Sequence, residues 1–322
     1  MSDAHTRTIE NYLAVADQTA IGEIYKSLRE AGILPALADG QKTAQQLADA
    51  CQLKLQPLER LLDCLVPLGI IERYDEWIAL SQTARLLLQY EDDFGSYRWQ
   101  KLDQVLREGV ADPEQGLATL RNTRMARQWA STAAAMELIH VLGPNQVPEG
   151  TRLLDLGCGV GVWSVAIAHK VADLHITLVD DEASLLGARG TAESIGLTDR
   201  LEVIEGDYRE LELPAAGFDI VVASELFSLE PADGQQRLLE RIHRCLKPGG
   251  YLVLIDVFPG QPQADPGLQL YALELALASS HAGPCDPLAL QELLTQQGFV
   301  DPRYAHLEVA PYLYGMIVAG RS

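Results

Sequence analysis

The sequence predicts a two-part α/β protein: a helical amino-terminal region containing one short hairpin, followed by a mostly parallel β-sheet with helices on both faces. Three observations carry this expectation. From Arg152 onward, short apolar runs alternate with helical segments, as in a parallel sheet buried on both sides. Before Pro144 the apolar residues recur at helical spacing instead, with Gly and Pro at the loops. The length, 322 residues, suits about two domains, divided here as 1–145 and 146–322.

Charge narrows the partners. With 25 Lys+Arg against 45 Asp+Glu, the net charge is −20, which repels nucleic-acid phosphates and anionic membrane surfaces alike. No run approaches the roughly 18 apolar residues of a membrane span, and Met1-Ser-Asp-Ala-His lacks the basic and apolar regions of a signal peptide, so a cytoplasmic location is expected. Five widely spaced cysteines without a Cys-x-x-Cys pair read as reduced, mostly buried residues, with no metal site.

The amino-terminal pattern runs in order. A helical stretch starts at Ile9; Thr43 caps a helix through Leu53; Pro57 sits in the first turn of a second helix whose Leu58, Leu61, Leu62 and Leu65 form one stripe. Residues 70–74 and 77–80 read as a hairpin across Asp75-Glu76, and Ser81 caps the next helix. Helix, turn, helix and hairpin suggest a winged helix, but residues 41–63 hold as many acidic as basic side chains, so the candidate recognition helix has no basic excess for DNA. Helix continues through 95–145, and 144–150 form a linker.

In the second part, strands are expected at 152–156, 175–179, 201–204, 218–224 and 251–256, with helices at 163–169 and 233–246 and a last helix capped by Asp286 and closed by Gly298. Between the first strand and its helix lies Leu154-Asp-Leu-Gly-Cys-Gly-Val-Gly. Gly157, Gly159 and Gly161 permit a sharp turn and close approach of a ligand to the backbone. Asp155, just ahead of them, disfavours a pyrophosphate but suits an ammonium group. Asp180 ends the second strand about 20 residues later, placed for a ribose diol. Asp207 and Tyr208 follow the third strand and suit an adenine amino group and face. Together they describe a pocket for a cationic nucleoside amino acid.

With Leu153-Leu-Asp-Leu-Gly-Cys-Gly-Val-Gly, Val179-Asp180, Glu205-Gly-Asp-Tyr, Phe218-Asp-Ile-Val-Val and Leu246-Lys-Pro-Gly-Gly in these places, the chain resembles the class I S-adenosyl-L-methionine-dependent methyltransferases. From about residue 10 to the end it resembles their small-molecule O-methyltransferase branch, related to plant caffeate and bacterial polyketide and hydroxyneurosporene enzymes. The resemblance implies a Rossmann-like sheet, S-adenosyl-L-methionine as cofactor with S-adenosyl-L-homocysteine as product, a small apolar or aromatic acceptor, and a homodimer formed through a winged-helix-like amino-terminal domain. It assigns Gly157, Gly159 and Gly161 to the methionine part of the cofactor with Asp155 nearby, Asp180 to the ribose, and Asp207 and Tyr208 to the adenine. Asp181 is either a further contact or a solvated loop charge.

The catalytic signature of that branch is incomplete. Its histidine base after the fourth strand falls on Ser228, the lysine that often precedes it on Ser224, and a supporting carboxy-terminal glutamate on Pro284. A neutral hydroxyl takes no proton at pH 7 without a base of its own. His281 is the best substitute, unless it merely closes a helix; Glu225 and Glu230 flank the site and otherwise read as loop charges. Trp129, Met136 and Phe227 would wall the acceptor, although Trp129 and Met136 also fit an ordinary helical core, and Ser131 or Thr132 would reach the cofactor carboxylate. Methyl transfer without the usual base is the first expectation. A same-fold enzyme with non-methylating chemistry and a cofactor-bound regulatory protein are the alternatives.

Overall fold

The computed structural model describes residues 2–89, 99–122, 128, 131–142, 148, 150–259, 266–307 and 314–322. It divides into two compact units, Met1–Glu91 and Asp92–Ser322. Trp129, one of the expected acceptor-wall residues, lies outside the described residues.

The first unit comprises α1 (Ser2–Glu30), α2 (Ile33–Ala38), α3 (Ala44–Ala50), α4 (Leu55–Leu65) and α5 (Gln82–Gln89), with β1 (Lys42–Thr43), β2 (Ile71–Tyr74) and β3 (Trp77–Leu80) in a small sheet of order β1-β3-β2. Thr43 begins α3 with a capping box: its Oγ1 accepts from Gln46 N–H and the Gln46 side chain accepts from Thr43 N–H. On α4, Leu58, Leu62 and Leu65 are buried, one stripe of an amphipathic helix. The expected hairpin is present, pairing Ile71 with Leu80. Ser81 Oγ accepts from Ala84 N–H at 3.0 Å, as its capping role requires. The helix α1 begins at Ser2, ahead of Ile9, and exposes Ile9, Tyr12, Leu13, Val15 and Ile21.

The second unit is built on a seven-stranded sheet. Its strands are β4 (Arg152–Leu156), β5 (His175–Asp180), β6 (Leu201–Glu205), β7 (Phe218–Ser224), β8 (Leu246–Val257), β9 (Phe299–Leu307) and β10 (Tyr314–Arg321), in the order β6-β5-β4-β7-β8-β10-β9. The first five run parallel; β10 is antiparallel to both β8 and β9. The helices are α6 (Leu102–Glu108), α7 (Pro113–Asn122), α8 (Thr132–Leu142), α9 (Val162–Lys170), α10 (Glu182–Ser194), α11 (Ala232–Cys245), α12 (Pro266–Ala278) and α13 (Pro287–Gln296). Two large apolar clusters fill this unit, one around Trp163, Ile220, Val253 and Met316, the other around Leu154, Phe227, Leu254 and Phe299.

Two features go beyond the expected pattern. The strand β8 starts at Leu246, because Leu246 pairs with Phe218; the register then shifts across the Lys247-Pro-Gly-Gly turn and resumes where Tyr251 pairs with Ile220. The antiparallel pair β9 and β10 was not expected; β9 contains Pro302, which an outermost strand tolerates because its missing N–H leaves no central ladder bond broken. Among the described residues no helix is long and apolar enough to cross a membrane.

Candidate cofactor-binding site

The chain leaves β4 in one direction for β5 and β6 and later returns on the other side as β7. This reversal opens a crevice at the carboxyl ends of β4 and β7, where ligands of doubly wound sheets bind. The turn after β4 carries positive φ at Gly157 (59°), Gly159 (56°) and Gly161 (72°), a conformation that side chains with a Cβ adopt at a cost. A Cβ at Gly159 would stand 2.1 Å from the Gln128 side chain and one at Gly157 2.5 Å from Leu226. The turn therefore admits close neighbours only because it is glycine.

Asp180, at the end of β5, is almost wholly buried. Its Oδ2 accepts from Gly159 N–H at 2.7 Å; its Oδ1 accepts from Asp181 N–H at 2.8 Å and from the Arg121 guanidinium at 2.5 Å. Burial works against the guanidinium's charge, but the Asp180 carboxylate and its neighbours hold Arg121 above its ordinary range. Asp180, Gly157, Gly159 and Ser224 line one cleft, together with Arg121, Gln128, Trp163, Glu225, Leu226 and Leu229.

The other expected cofactor residues stand elsewhere. Asp155 is fully buried behind the turn, where Ser164 Oγ donates to it at 2.5 Å. Burial, reinforced by the Asp180 charge, pushes its carboxyl up to about 7. Asp181 caps α10 by accepting from Ser184 N–H at 2.8 Å, and its side chain is exposed. Asp207 is exposed and accepts from Arg209 N–H. The Tyr208 ring is buried, with the Arg121 guanidinium 5.3 Å from its centroid, and its hydroxyl donates to Glu230 at 2.6 Å. Glu230 thus braces Tyr208.

At the β7 end, Ser228 is buried in the short helical turn Phe227–Leu229, and its N–H donates to Asp256 at 3.1 Å. Phe227 and Met136 pack into the two apolar clusters, and Thr132 is exposed at the start of α8. His281 is exposed and bonded to Ser279, 2.9 Å from Nδ1. Glu225 departs from the plain loop charge: it lines the cleft with φ 53°, and Tyr314, which itself accepts from Ser131 at 2.9 Å, donates to Glu225 at 3.1 Å. A buried second carboxylate, Asp256 at the end of β8, is pushed up to about 7 by burial and then by the Glu225 charge.

Residues 153–250 match a family model described as a methyltransferase domain. This stretch is a methyltransferase domain. Among curated proteins, the chain is 31% identical over 112 residues to the demethylmenaquinone methyltransferase of Listeria monocytogenes, covering 34% of this chain and 46% of that protein. It is also 31% identical over 126 residues to the carboxy-S-adenosyl-L-methionine synthase of Salmonella paratyphi C, covering 38% and 50%. The chain thus spans half or less of the length of these relatives. Solved structures extend the likeness of fold beyond the methyltransferase domain. Human N-acetylserotonin methyltransferase in complex with S-adenosylmethionine superposes with a TM-score of 0.68 at 20% identity, over 100% of this chain and 99% of that one. The mitomycin 7-O-methyltransferase MmcR gives 0.71 at 20%, over 100% of both chains. RosA, an N,N-8-amino-8-demethyl-D-riboflavin dimethyltransferase of Streptomyces davawensis, gives 0.71 at 19%, over 98% and 99%. The expected two-part fold, a helical region ahead of a mostly parallel sheet, is therefore shared with these structures over nearly the whole of each chain.

Sequence reasoning passed over Arg121, Gln128, Trp163, Tyr314 and Asp256. Trp163 had a local signal, standing two residues past Gly161 at the start of α9. The others enter the site from segments remote in sequence.

Proposed function

We propose that this chain is an S-adenosyl-L-methionine-dependent methyltransferase acting on a small apolar or aromatic acceptor. The observation that carries the reading is the junction of Asp180 with the glycine turn: a buried carboxylate at the end of β5 accepts from Gly159 N–H beside backbone bare of Cβ atoms. These residues fit the cofactor, since a carboxylate beside a turn with no side chains suits both a ribose diol and close-lying ligand atoms. When bound, that cofactor supplies a methyl carbon carried on a sulfonium.

The chain's own groups divide the remaining work. Asp180 would accept the ribose hydroxyls, and Gly157 to Gly161 would lie against the methionine part, with Ser224 on the facing strand. Tyr208 would meet the adenine face only with rearrangement of Arg121, and the exposed Asp207 would accept from the adenine amino group. Trp163 and Leu229 give the cleft apolar wall and exclude water. Glu225, held by the Tyr314 hydroxyl, is the carboxylate on the cleft wall placed to take the acceptor's proton at its Oε atoms, with Ser228 in the usual histidine position. Residues 1–145 would serve dimerisation and cover the acceptor, 146–322 the cofactor; the large apolar side chains exposed along α1 support a homodimer.

The serine at 228 also favours a second reading, in which the same site binds the cofactor but performs non-methylating chemistry. Calorimetry with S-adenosyl-L-methionine, followed by mass spectrometry of a panel of phenols, amines and quinones, tests both. Release of S-adenosyl-L-homocysteine equal to methylated product supports transfer. Binding with conversion but no S-adenosyl-L-homocysteine supports the second reading, and no binding near millimolar concentration sinks both.

A further inference from the structure

Two side chains from the segment before the sheet fill the groups assigned to the nucleoside. Arg121, on α7, pairs with Asp180 and lies over the Tyr208 ring. Gln128 accepts from Val160 N–H at 2.7 Å and lies against Gly159. The ribose carboxylate, the adenine-side ring and the bare turn are thus each covered.

Counting acceptor sites shows that this arrangement excludes a ribose. A carboxylate offers about four lone-pair directions. Asp180 already receives Gly159 N–H, Asp181 N–H and the Arg121 guanidinium. One direction remains, and a diol needs two. The two N–H groups belong to the backbone that shapes the turn, so the guanidinium is the group that can leave. Charge points the same way: Arg121 places a cation beside Asp180 and Asp181, and an incoming sulfonium nucleoside brings a cation to the same cleft. Their exchange keeps the carboxylates from facing one another uncompensated.

We propose that Arg121 and Gln128 are an internal occupant of the cofactor site, and that S-adenosyl-L-methionine binds only by displacing them. This rests on the function proposed above. The affinity measured for the wild-type chain is then its intrinsic affinity reduced by the fraction of molecules in which the two side chains have withdrawn.

The test uses the full chain, with S-adenosyl-L-homocysteine as probe, in wild type, Arg121→Met and Gln128→Ala. Met keeps an apolar stem against Tyr208. Arg121→Met is expected to tighten Kd about tenfold and Gln128→Ala about threefold by calorimetry. By stopped-flow tryptophan fluorescence, the wild-type association rate should level off at high ligand, set by withdrawal of the side chains, whereas that of Arg121→Met should keep rising. Should Arg121→Met fail to fold, a wild-type plateau together with tighter Gln128→Ala binding supports the proposal, and a linear wild-type rate with unchanged Gln128→Ala binding overturns it. Weaker or unchanged binding in both folded variants also overturns it while leaving the methyltransferase reading intact. No binding by any folded form removes that reading and the internal occupant with it.

Discussion

The two ends of the cleft treat the same functional group in opposite ways. At the β5 end, the Asp180 carboxylate is met by two backbone N–H groups and a guanidinium. At the β7 and β8 end, Glu225 is met by the Tyr314 hydroxyl, and Asp256 by two N–H groups and the more distant Tyr271 hydroxyl at 3.4 Å. A carboxylate paired with a cation keeps its charge in place; a buried carboxylate beside a second carboxylate holds its proton more readily, as Asp256 does beside Glu225. On the proposed function, the difference teaches that the β5 end is suited to binding and the β7 and β8 end to proton handling, a division that does not depend on Ser228.

The most severe test of this division is Asp180→Asn, which should weaken S-adenosyl-L-homocysteine binding about 1,000-fold, the worth of two charge-assisted hydrogen bonds. A loss below threefold by calorimetry would mean that the β5 end is not the nucleoside anchor. Next, Glu225→Gln should lower kcat about 100-fold with Kd for S-adenosyl-L-homocysteine unchanged; if Kd changes and kcat does not, the two ends are not separate in function.

A smaller effect concerns pH. Asp155 and Asp256 have folded-state values near 7 against an ordinary 3.8, so between these limits the folded chain holds protons that the unfolded chain has released. Stability from these groups is therefore full at about pH 4, falls as pH rises to about 7, and is flat above. Asp256→Asn should flatten that fall and raise Tm at pH 8 by about 4 °C, read by calorimetry of the ligand-free protein; a Tm gain equal at pH 5 and pH 8 would point to packing instead. Last, Ser228→Ala should leave kcat within about twofold and Tm within about 2 °C, since the Asp256 contact uses the backbone N–H that alanine retains. A large loss would return Ser228 to the chemistry.

Much of the frame was legible before any coordinates. The Thr43 and Asp286 caps, the α4 stripe, the hairpin at 71–80 and the five parallel strands all rest on signals within a few residues: a side-chain oxygen ahead of a helix, an apolar period, a turn. The glycine loop and Asp180 belong to the same class, since a turn after one strand and a carboxylate at the tip of the next become neighbours whenever the strands pair in parallel. The pair β9 and β10 escaped notice because Pro302 and the charged residues of β9 break the apolar run, which an outermost strand can afford.

What the sequence by itself determined is therefore the sheet, the bare turn and the acidic residue beside it, because each is set by local backbone preference and by burial period. Only the tertiary structure decided which partners those groups receive. Arg121 meets Asp180 across 59 residues, and Tyr314 meets Glu225 across 89. No period or cap links such positions; they meet because helices and strands remote in the chain pack on one core, and there the low local polarity makes each partner matter.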